Sequence, residues 1–339
     1  MRVLVTGSAG YLGFPVVAEM RAAGHDVSTL DTGFFRDSIL AEVFAPDVVA
    51  DVRDLTPHLF TGYEAVIHLA ELSNDPMGEM DPSLTVDINE GGTAKVAELA
   101  KQASVERFVY FSSCSIYGAS SGEPVDELGA PNPLTAYARA KLANEQALGT
   151  LADASFAPVM MRNATAFGPS PALRLDLVVN EFTFDAVTTG KVVMRSAGTA
   201  WRPFAHVDDI ARVARLLLDQ PLARIRGEII NVGSDASTRT VREVAEVVAR
   251  LTGSEIVIED DTVDARDYRV SFQKLRDLLG PDAVTRTIDD GVRQLMELLN
   301  SNQAAIDRIG KDGLKRLPTL RNLLSDGSLS PKLRWQQSQ

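Results

Sequence analysis

The chain has 339 residues, long enough for an α/β core with an appended lobe. Apolar residues make up 45% and charged ones 24%, as in a globular enzyme, and a formal charge of −12 argues against nucleic acid or an anionic membrane surface as a partner. No apolar run reaches the length of a membrane span, no signal peptide precedes the first strand, and the single cysteine, Cys114, excludes an internal disulfide and predicts a reducing cytoplasm. The histidines His25, His58, His68 and His206 are scattered without metal-ligand spacing, so no metal is expected.

Met1–Thr6 (MRVLVT) is an apolar, β-branched run that leads into Gly7-Ser8-Ala9-Gly10-Tyr11-Leu12-Gly13. A strand ending in glycines three apart, with a helical pattern (Phe14–Ala23) behind them, is shaped for a dinucleotide pyrophosphate. Gly7 permits the tight turn, Gly10 lets the backbone approach the phosphates, and Gly13 lets helix and strand pack closely. Tyr11 and Leu12 belong to the same loop, and the helix start adds free N–H groups and a partial positive charge. The next strand, Asp26–Leu30, ends at Asp31, about 20 residues past the glycines, where a carboxylate accepts from the adenosine ribose hydroxyls and repels a 2′-phosphate. That favours NAD over NADP, with Arg36 nearby as the one cation that argues for a phosphate.

Strands are predicted at Asp47–Ala50, Ala65–Leu69, Arg107–Phe111 and Pro158–Met161, with helices over Pro82–Ala103 and Thr135–Gly149 between them. Alternation of this kind predicts a doubly wound parallel sheet with helices on both faces. Beyond Arg162 the pattern loosens into helices at Arg174–Thr188, Asp208–Leu218, Val241–Leu251 and Ile288–Leu299, with short strands at Lys191–Met194 and Glu228–Asn231. The expected division is a Rossmann core over 1–165 with some later segments crossing back, a smaller mixed α/β substrate lobe over 166–299, and a polar C-terminal arm over 300–339. The basic amphipathic stretch at Lys311–Leu324 leaves three roles open for that arm: packing, a dimer contact or partial disorder.

Tyr137 and Lys141 lie four apart on one predicted helix and so share a face. Ser112 and Ser113 stand at the carboxyl end of the strand Arg107–Phe111, where open α/β sheets bind ligands. A cation beside a phenol favours the phenolate, so Lys141 and a positively charged nicotinamide are expected to lower the pKa of Tyr137. Such a tyrosine exchanges protons with a sugar hydroxyl near neutral pH, while Ser113 hydrogen-bonds the reacting oxygen.

Further blocks stand in order: Asp51-Val52, His68-Leu69-Ala70, Asn89 before Gly92-Thr93, Ser112-Ser113-Cys114-Ser115-Ile116-Tyr117-Gly118, Arg162 through Gly168-Pro169, and Arg202-Pro203-Phe204-Ala205-His206-Val207-Asp208-Asp209. With the glycine loop and Tyr137-x-x-x-Lys141, this order resembles the extended short-chain dehydrogenase/reductase family of nucleotide-sugar epimerases, dehydratases and reductases. The resemblance implies Ser113, Tyr137 and Lys141 as the catalytic set, with Lys141 also on the nicotinamide ribose. It implies Asp51 and Val52 at the adenine, Leu69, Ala70 and Asn89 around the cofactor, and Arg202 on the nucleotide-sugar pyrophosphate. In the family's Arg-x-x-Asn segment, here Arg162-Asn163-Ala164-Thr165, Thr165 stands in the asparagine position. That departure weakens the usual sugar-phosphate contact or moves it to Asn163, and Arg266 or Arg269 offers a second phosphate contact.

The chain departs from the pattern in two further places. Cys114-Ser115 replaces the Asp-Glu pair of the 4,6-dehydratases, which argues against that reaction, and Glu71 replaces a small residue beside the nicotinamide. Glu71 is read either as a base or substrate ligand or as a solvated carboxylate. The activity implied is that of an NAD-dependent epimerase acting on a nucleotide-activated sugar, by transient oxidation at C4. The alternatives are a reductase of a nucleotide-linked 4-keto sugar and a silent dinucleotide-binding sensor. A homodimer is implied through the Pro82–Ala103 and Thr135–Gly149 helices, with Val96, Leu99, Ala136, Ala140 and Ala143 as interface or core residues.

Overall fold

The computed structural model describes residues 1–336 apart from 42, 74, 120–122, 261 and 263–266, with only the backbone described at 79. Its centre is a seven-stranded sheet in which β1 (Arg2–Thr6), β2 (Asp26–Asp31), β3 (Val48–Val49), β4 (Ala65–His68), β5 (Arg107–Ser113), β6 (Ala157–Asn163) and a last strand, Glu228–Val232, are all parallel. The order runs from the last strand through β6, β5, β4, β1 and β2 to β3. Chain progression therefore reverses between β1 and β4, and a ligand crevice is expected at their carboxyl ends.

Alternation along the strands divides the core between two faces. Val3 and Val5 point to one face with Ile67 and Val109, where the helices Gly13–Ala22 and Val207–Leu218 cover them. Leu4 points to the other with Val66, Phe108 and Tyr110, under Gly92–Gln102 and Ala136–Leu151. β6 is buried at every position, as a strand between two helical layers must be. The doubly wound parallel sheet read from the sequence is thus present.

The predicted helix 82–103 is interrupted. A short turn, Pro82–Thr85, passes into a wider π turn, Val86–Gly91, before the regular helix Gly92–Gln102. Periodicity cannot distinguish such a turn from helix, because the apolar face is maintained through it. Val96, Leu99, Ala136 and Ala140 are buried within the single chain, so these positions serve the subunit's own core.

Beyond β6 the helices Val178–Thr189, Val241–Thr252 and Ile288–Ser301 pack around Phe182, Val244, Val292 and Leu295. A small parallel pair, Lys191–Met194 with Glu255–Ile258, edges this lobe. Val207–Leu218 and Glu228–Val232 return to the central sheet. The C-terminal arm is structured as far as it is described: helices Gln303–Gly313 and Arg316–Ser325 are followed by a bridge between Leu329 and Trp335. Leu320, Leu329 and Leu333 are buried against Leu72, Met77, Leu84 and Ile88. Among the described residues no helix is long and apolar enough to cross a membrane.

Candidate active site

A cleft of about 760 Å³ opens at the carboxyl ends of β1 and β4, where the chain order reverses. Gly7, Gly10, Tyr11, Leu12 and Gly13 form its floor beside Leu69 and Ala70. The loop is glycine-specific for steric reasons. A Cβ on Gly13 would lie 2.3 Å from the Gly7 carbonyl oxygen, and one on Gly7, whose φ is +73°, would lie 2.7 Å from the Ala70 nitrogen. No side chain caps the helix that follows, and its first N–H groups are not the free donors expected from the sequence. Gly13 (3.1 Å) and Phe14 (3.3 Å) both donate to the Gly10 carbonyl, Pro15 has no N–H, and Val16 donates to Leu12 (3.1 Å). What the helix start offers an anion is its partial positive charge. The Tyr11 hydroxyl donates to the Gly168 carbonyl (2.8 Å) and accepts from Asn180 (3.0 Å), which pins the loop to the C-terminal lobe.

Asp31 ends β2 at the cleft wall, accepting from the backbone N–H of Ala9 (3.1 Å) and Gly33 (2.8 Å). Burial pushes its carboxyl up, against the pull of these donors. Each oxygen retains lone-pair capacity for a ribose hydroxyl. Asp51 and Val52 line the same end, but the Asp51 carboxylate is gripped by Arg53 at 2.6 Å and by Arg334 at 3.3 Å. It therefore faces two guanidinium groups before any adenine amino group. Asn89 is fully buried outside the cleft wall, where it accepts from Leu72 N–H (2.9 Å) and donates to Leu72 C=O (3.0 Å). In the protein itself it holds the turn after Glu71. Arg36 stacks 4.9 Å from the Trp335 ring centre.

Ser113, Tyr137 and Lys141 converge in the middle of the cleft. Thr135 caps the helix Ala136–Leu151 through a bond from Ala138 N–H (3.1 Å), and this sets the first turn that carries Tyr137. The Tyr137 phenol stands beside the Ser113 hydroxyl in the cleft wall. Burial pushes its pKa well above the ordinary tyrosine range. The carboxylates of Glu71 and Asp75 push the same way, while Ser113 and the charge of Arg174 oppose them. The direction is opposite to the one expected from Lys141, because burial of the phenol dominates and the Lys141 ammonium is itself paired with Glu71 at 2.7 Å.

That pair is a built structure. Glu71 also accepts from Thr93 (3.0 Å), Tyr110 (2.8 Å) and Asn144 (3.1 Å), and Lys141 donates to the Phe111 carbonyl. Glu71 lies in the cleft wall, yet its carboxylate is occupied by protein groups and only 2% exposed, which rules out a solvated side chain. An ammonium has three N–H bonds, so Lys141 keeps one beyond Phe111 and Glu71. His68 bridges Thr6 (2.7 Å) and Thr93 (2.9 Å) below this layer, and burial holds it neutral with a pKa near 3. Cys114 is buried with its thiol on the Arg162 carbonyl at 3.0 Å, and burial pushes that thiol up.

At the far end stand Asn163, Thr165 and Arg202. Asn163 donates to the carbonyls of Ser112 and Met161, both at 3.2 Å, and its Oδ1 is buried with no donor. Arg202 donates to the Trp201 carbonyl (2.7 Å) and lies 5.5 Å over the Tyr268 ring. Arg266 lies outside the described residues, and Arg269 stacks 5.4 Å from the Trp201 ring.

Two charged side chains of the cleft wall, and Asn144 buried behind Glu71, had no assignment from sequence. Arg174 lines it, paired with Asp176 at 2.9 Å, and Arg316 enters from the C-terminal arm. Neither lies near a recognisable motif. Asn144 did carry a signal: it stands three residues after Lys141 on the same helix, hence on nearly the same face.

The model of the NAD dependent epimerase/dehydratase family matches residues 3–233, more than half of the chain. The chain belongs to this family. Its relatives include a putative UDP-glucose 4-epimerase of Methanocaldococcus jannaschii, 25% identical over 88% of this chain and 99% of the relative. A UDP-glucose 4-epimerase of Mycolicibacterium smegmatis is 29% identical over 83% of this chain and 93% of its own. Among solved structures, MoeE5 in complex with UDP-glucuronic acid and NAD superposes with a TM-score of 0.77 at 27% identity, covering 89% of this chain and 99% of that one. The Thermus thermophilus UDP-glucose 4-epimerase complex with NAD gives a TM-score of 0.73 at 26% identity, covering 88% and 99%. The glycine floor and Asp31 are the groups with which a member of this family would hold NAD, and the steric demand at Gly7 and Gly13 fits that use.

Proposed function

We propose that the protein is an NAD-dependent epimerase of a nucleotide-activated sugar. One observation carries the reading. Ser113, Tyr137 and Lys141 lie together in the wall of a single cleft that has the glycine loop at one end and Asn163, Thr165 and Arg202 at the other. A dinucleotide held at the first end and a nucleotide sugar at the second would meet at Tyr137.

When bound, the nicotinamide supplies hydride acceptance and return at a sugar carbon. The side chains handle the proton. Tyr137 takes it from the sugar hydroxyl as the carbonyl forms and gives it back as the alcohol is restored, and Ser113 donates to the same oxygen. Lys141 has its remaining N–H for a ribose hydroxyl, and Arg202 presents a fork suited to pyrophosphate oxygens. Two such sites held in one cleft supply the proximity that a reaction of two bound partners needs. Within this reading the chain is a cytoplasmic homodimer, its interface drawn from positions other than the buried Val96, Leu99, Ala136 and Ala140.

The test is to denature the purified protein, identify the dinucleotide it releases, and follow UDP-, dTDP-, GDP- and CDP-sugars with the native protein by proton NMR. Near-stoichiometric NAD together with a C4 epimer supports the reading. Reversible NADH or NADPH binding, with reduction of a 4-keto sugar and no epimer, replaces it with the reductase.

A further inference from the structure

The C-terminal arm delivers a charge to the cofactor end of the cleft that the glycine-loop pattern does not call for. Arg316 opens the last helix and is 2% exposed, with its guanidinium 4.3 Å over the Phe35 ring. Nη2 donates to the Ala172 carbonyl at 2.8 Å, while Nη1 is buried without an acceptor. Among the described residues no carboxylate stands within ion-pair distance of it. A buried guanidinium normally has a paired charge, so one left without an anion marks a place built for one.

The surroundings locate that place. Arg316 lines the cleft with Tyr11, Asp31 and Phe35, and it interacts electrostatically with Tyr11, Asp31, Arg174 and Asp176. Burial pulls its pKa down to about 9, with Arg174 pulling the same way against Asp176 and Asp31. Asp176 and Asp31 act on it from beyond ion-pair distance, so among the described residues no carboxylate meets the free Nη1 directly.

The rest of the arm is braced as a scaffold for this residue. Leu175 N–H donates to the Leu314 carbonyl (3.0 Å), and Lys315 pairs with Glu181 (3.1 Å), immediately before Arg316. Further on, the Trp335 indole donates to the Thr32 carbonyl (2.7 Å), next to Asp31, and Arg53 donates to the Lys332 carbonyl (3.0 Å).

We propose that Arg316 binds a phosphate oxygen of the dinucleotide pyrophosphate, with the arm from 303 to 336 holding it in place. The cofactor site would then be completed by the far end of the chain. The inference rests on the cleft being a dinucleotide site. Pyrophosphate is chosen over a ribose 2′-phosphate because the Asp31 carboxylate stands where the latter would sit.

The test is calorimetric titration of the full chain, freed of copurified dinucleotide, with NAD, NADP, ADP-ribose and adenosine. Arg316→Met is expected to raise the Kd of NAD and ADP-ribose by on the order of ten- to a hundredfold and to leave adenosine unchanged. Unchanged NAD and ADP-ribose affinities overturn the proposal, as does an equal loss for adenosine, which would make Arg316 wall only. A loss confined to NADP moves the contact to a 2′-phosphate and overturns the pyrophosphate assignment. Should Arg316→Met not fold, Arg316→Gln decides on the same criteria, since it keeps polar donors but loses the charge. A wild-type chain that binds no dinucleotide overturns the cofactor reading itself, a result distinguishable from failure of the Arg316 contact alone.

Discussion

Glu71 and Lys141 form an ion pair of 2.7 Å with side-chain exposures of only 2% and 6%. Removing one member of such a pair leaves an uncompensated charge, so the pair also fixes the geometry of what surrounds it. Around it are Tyr110, Asn144 and Thr93 on the Glu71 side and the Phe111 carbonyl on the Lys141 side. Glu71 thereby sets where Lys141 stands and adds a negative charge to the field at Tyr137.

The sign of that field gives a prediction for Glu71→Gln. The carboxylate raises the Tyr137 pKa, so its removal lowers it and makes the phenolate available at lower pH. The acid limb of the kcat/KM profile should move down by about 1 pH unit. The check is a pH–rate series of wild type and variant with bound NAD quantified in each. An acid limb that stays put, or moves up, would sink this account of Glu71.

Tyr137→Phe keeps the ring and its packing while deleting the proton carrier. Activity should fall by roughly 10²- to 10⁴-fold, the ordinary worth of a general acid–base group, with NAD content unchanged. Steady-state rates alongside cofactor quantification separate the two effects. A variant retaining most of its activity would show that another group moves the proton.

What the sequence made legible here follows from how local each signal is. The floor of the cleft could be read because Gly7, Gly10 and Gly13 answer a steric demand within one turn, and Tyr137 and Lys141 share one helical face. Asp51 and Asn89 were given cofactor roles by resemblance, yet their side chains meet Arg53 and Leu72, partners set by tertiary packing. The π turn Val86–Gly91 hid inside an unbroken helical pattern. Arg316 was beyond reach for a different reason: it lies 285 positions after Asp31, and only the folded arm brings them to one cleft.

Gly13→Ala tests the steric reading of the loop. The added methyl would lie 2.3 Å from the Gly7 carbonyl oxygen and 2.5 Å from Ser8 backbone atoms, none of which belongs to a flexible side chain. The loop must shift, so the variant is expected to purify without bound dinucleotide and to bind NAD at least tenfold more weakly, a loss of about 1.4 kcal/mol. Equal NAD content in wild type and variant would mean that the loop has slack this geometry does not show.

The last prediction concerns stability beneath the site. Arg162 and Glu145 pair at 2.7 Å with exposures of 3% and 2%, and Ser112 donates to the same carboxylate at 2.5 Å. Glu145 keeps Arg162 charged despite its burial, and Arg162 in turn donates to the Tyr117 hydroxyl at 2.8 Å. Glu145→Ala would leave a buried guanidinium without its counter-charge, at an expected cost of about 3–5 kcal/mol. Urea denaturation should show that loss as a lower midpoint. The double variant Arg162→Met/Glu145→Met should recover much of it, because an apolar pair replaces the charges without stranding either. A single variant within about 1 kcal/mol of wild type, or a double variant less stable than the single, would mean that the pair is not the element on which the layer under Ser113 depends.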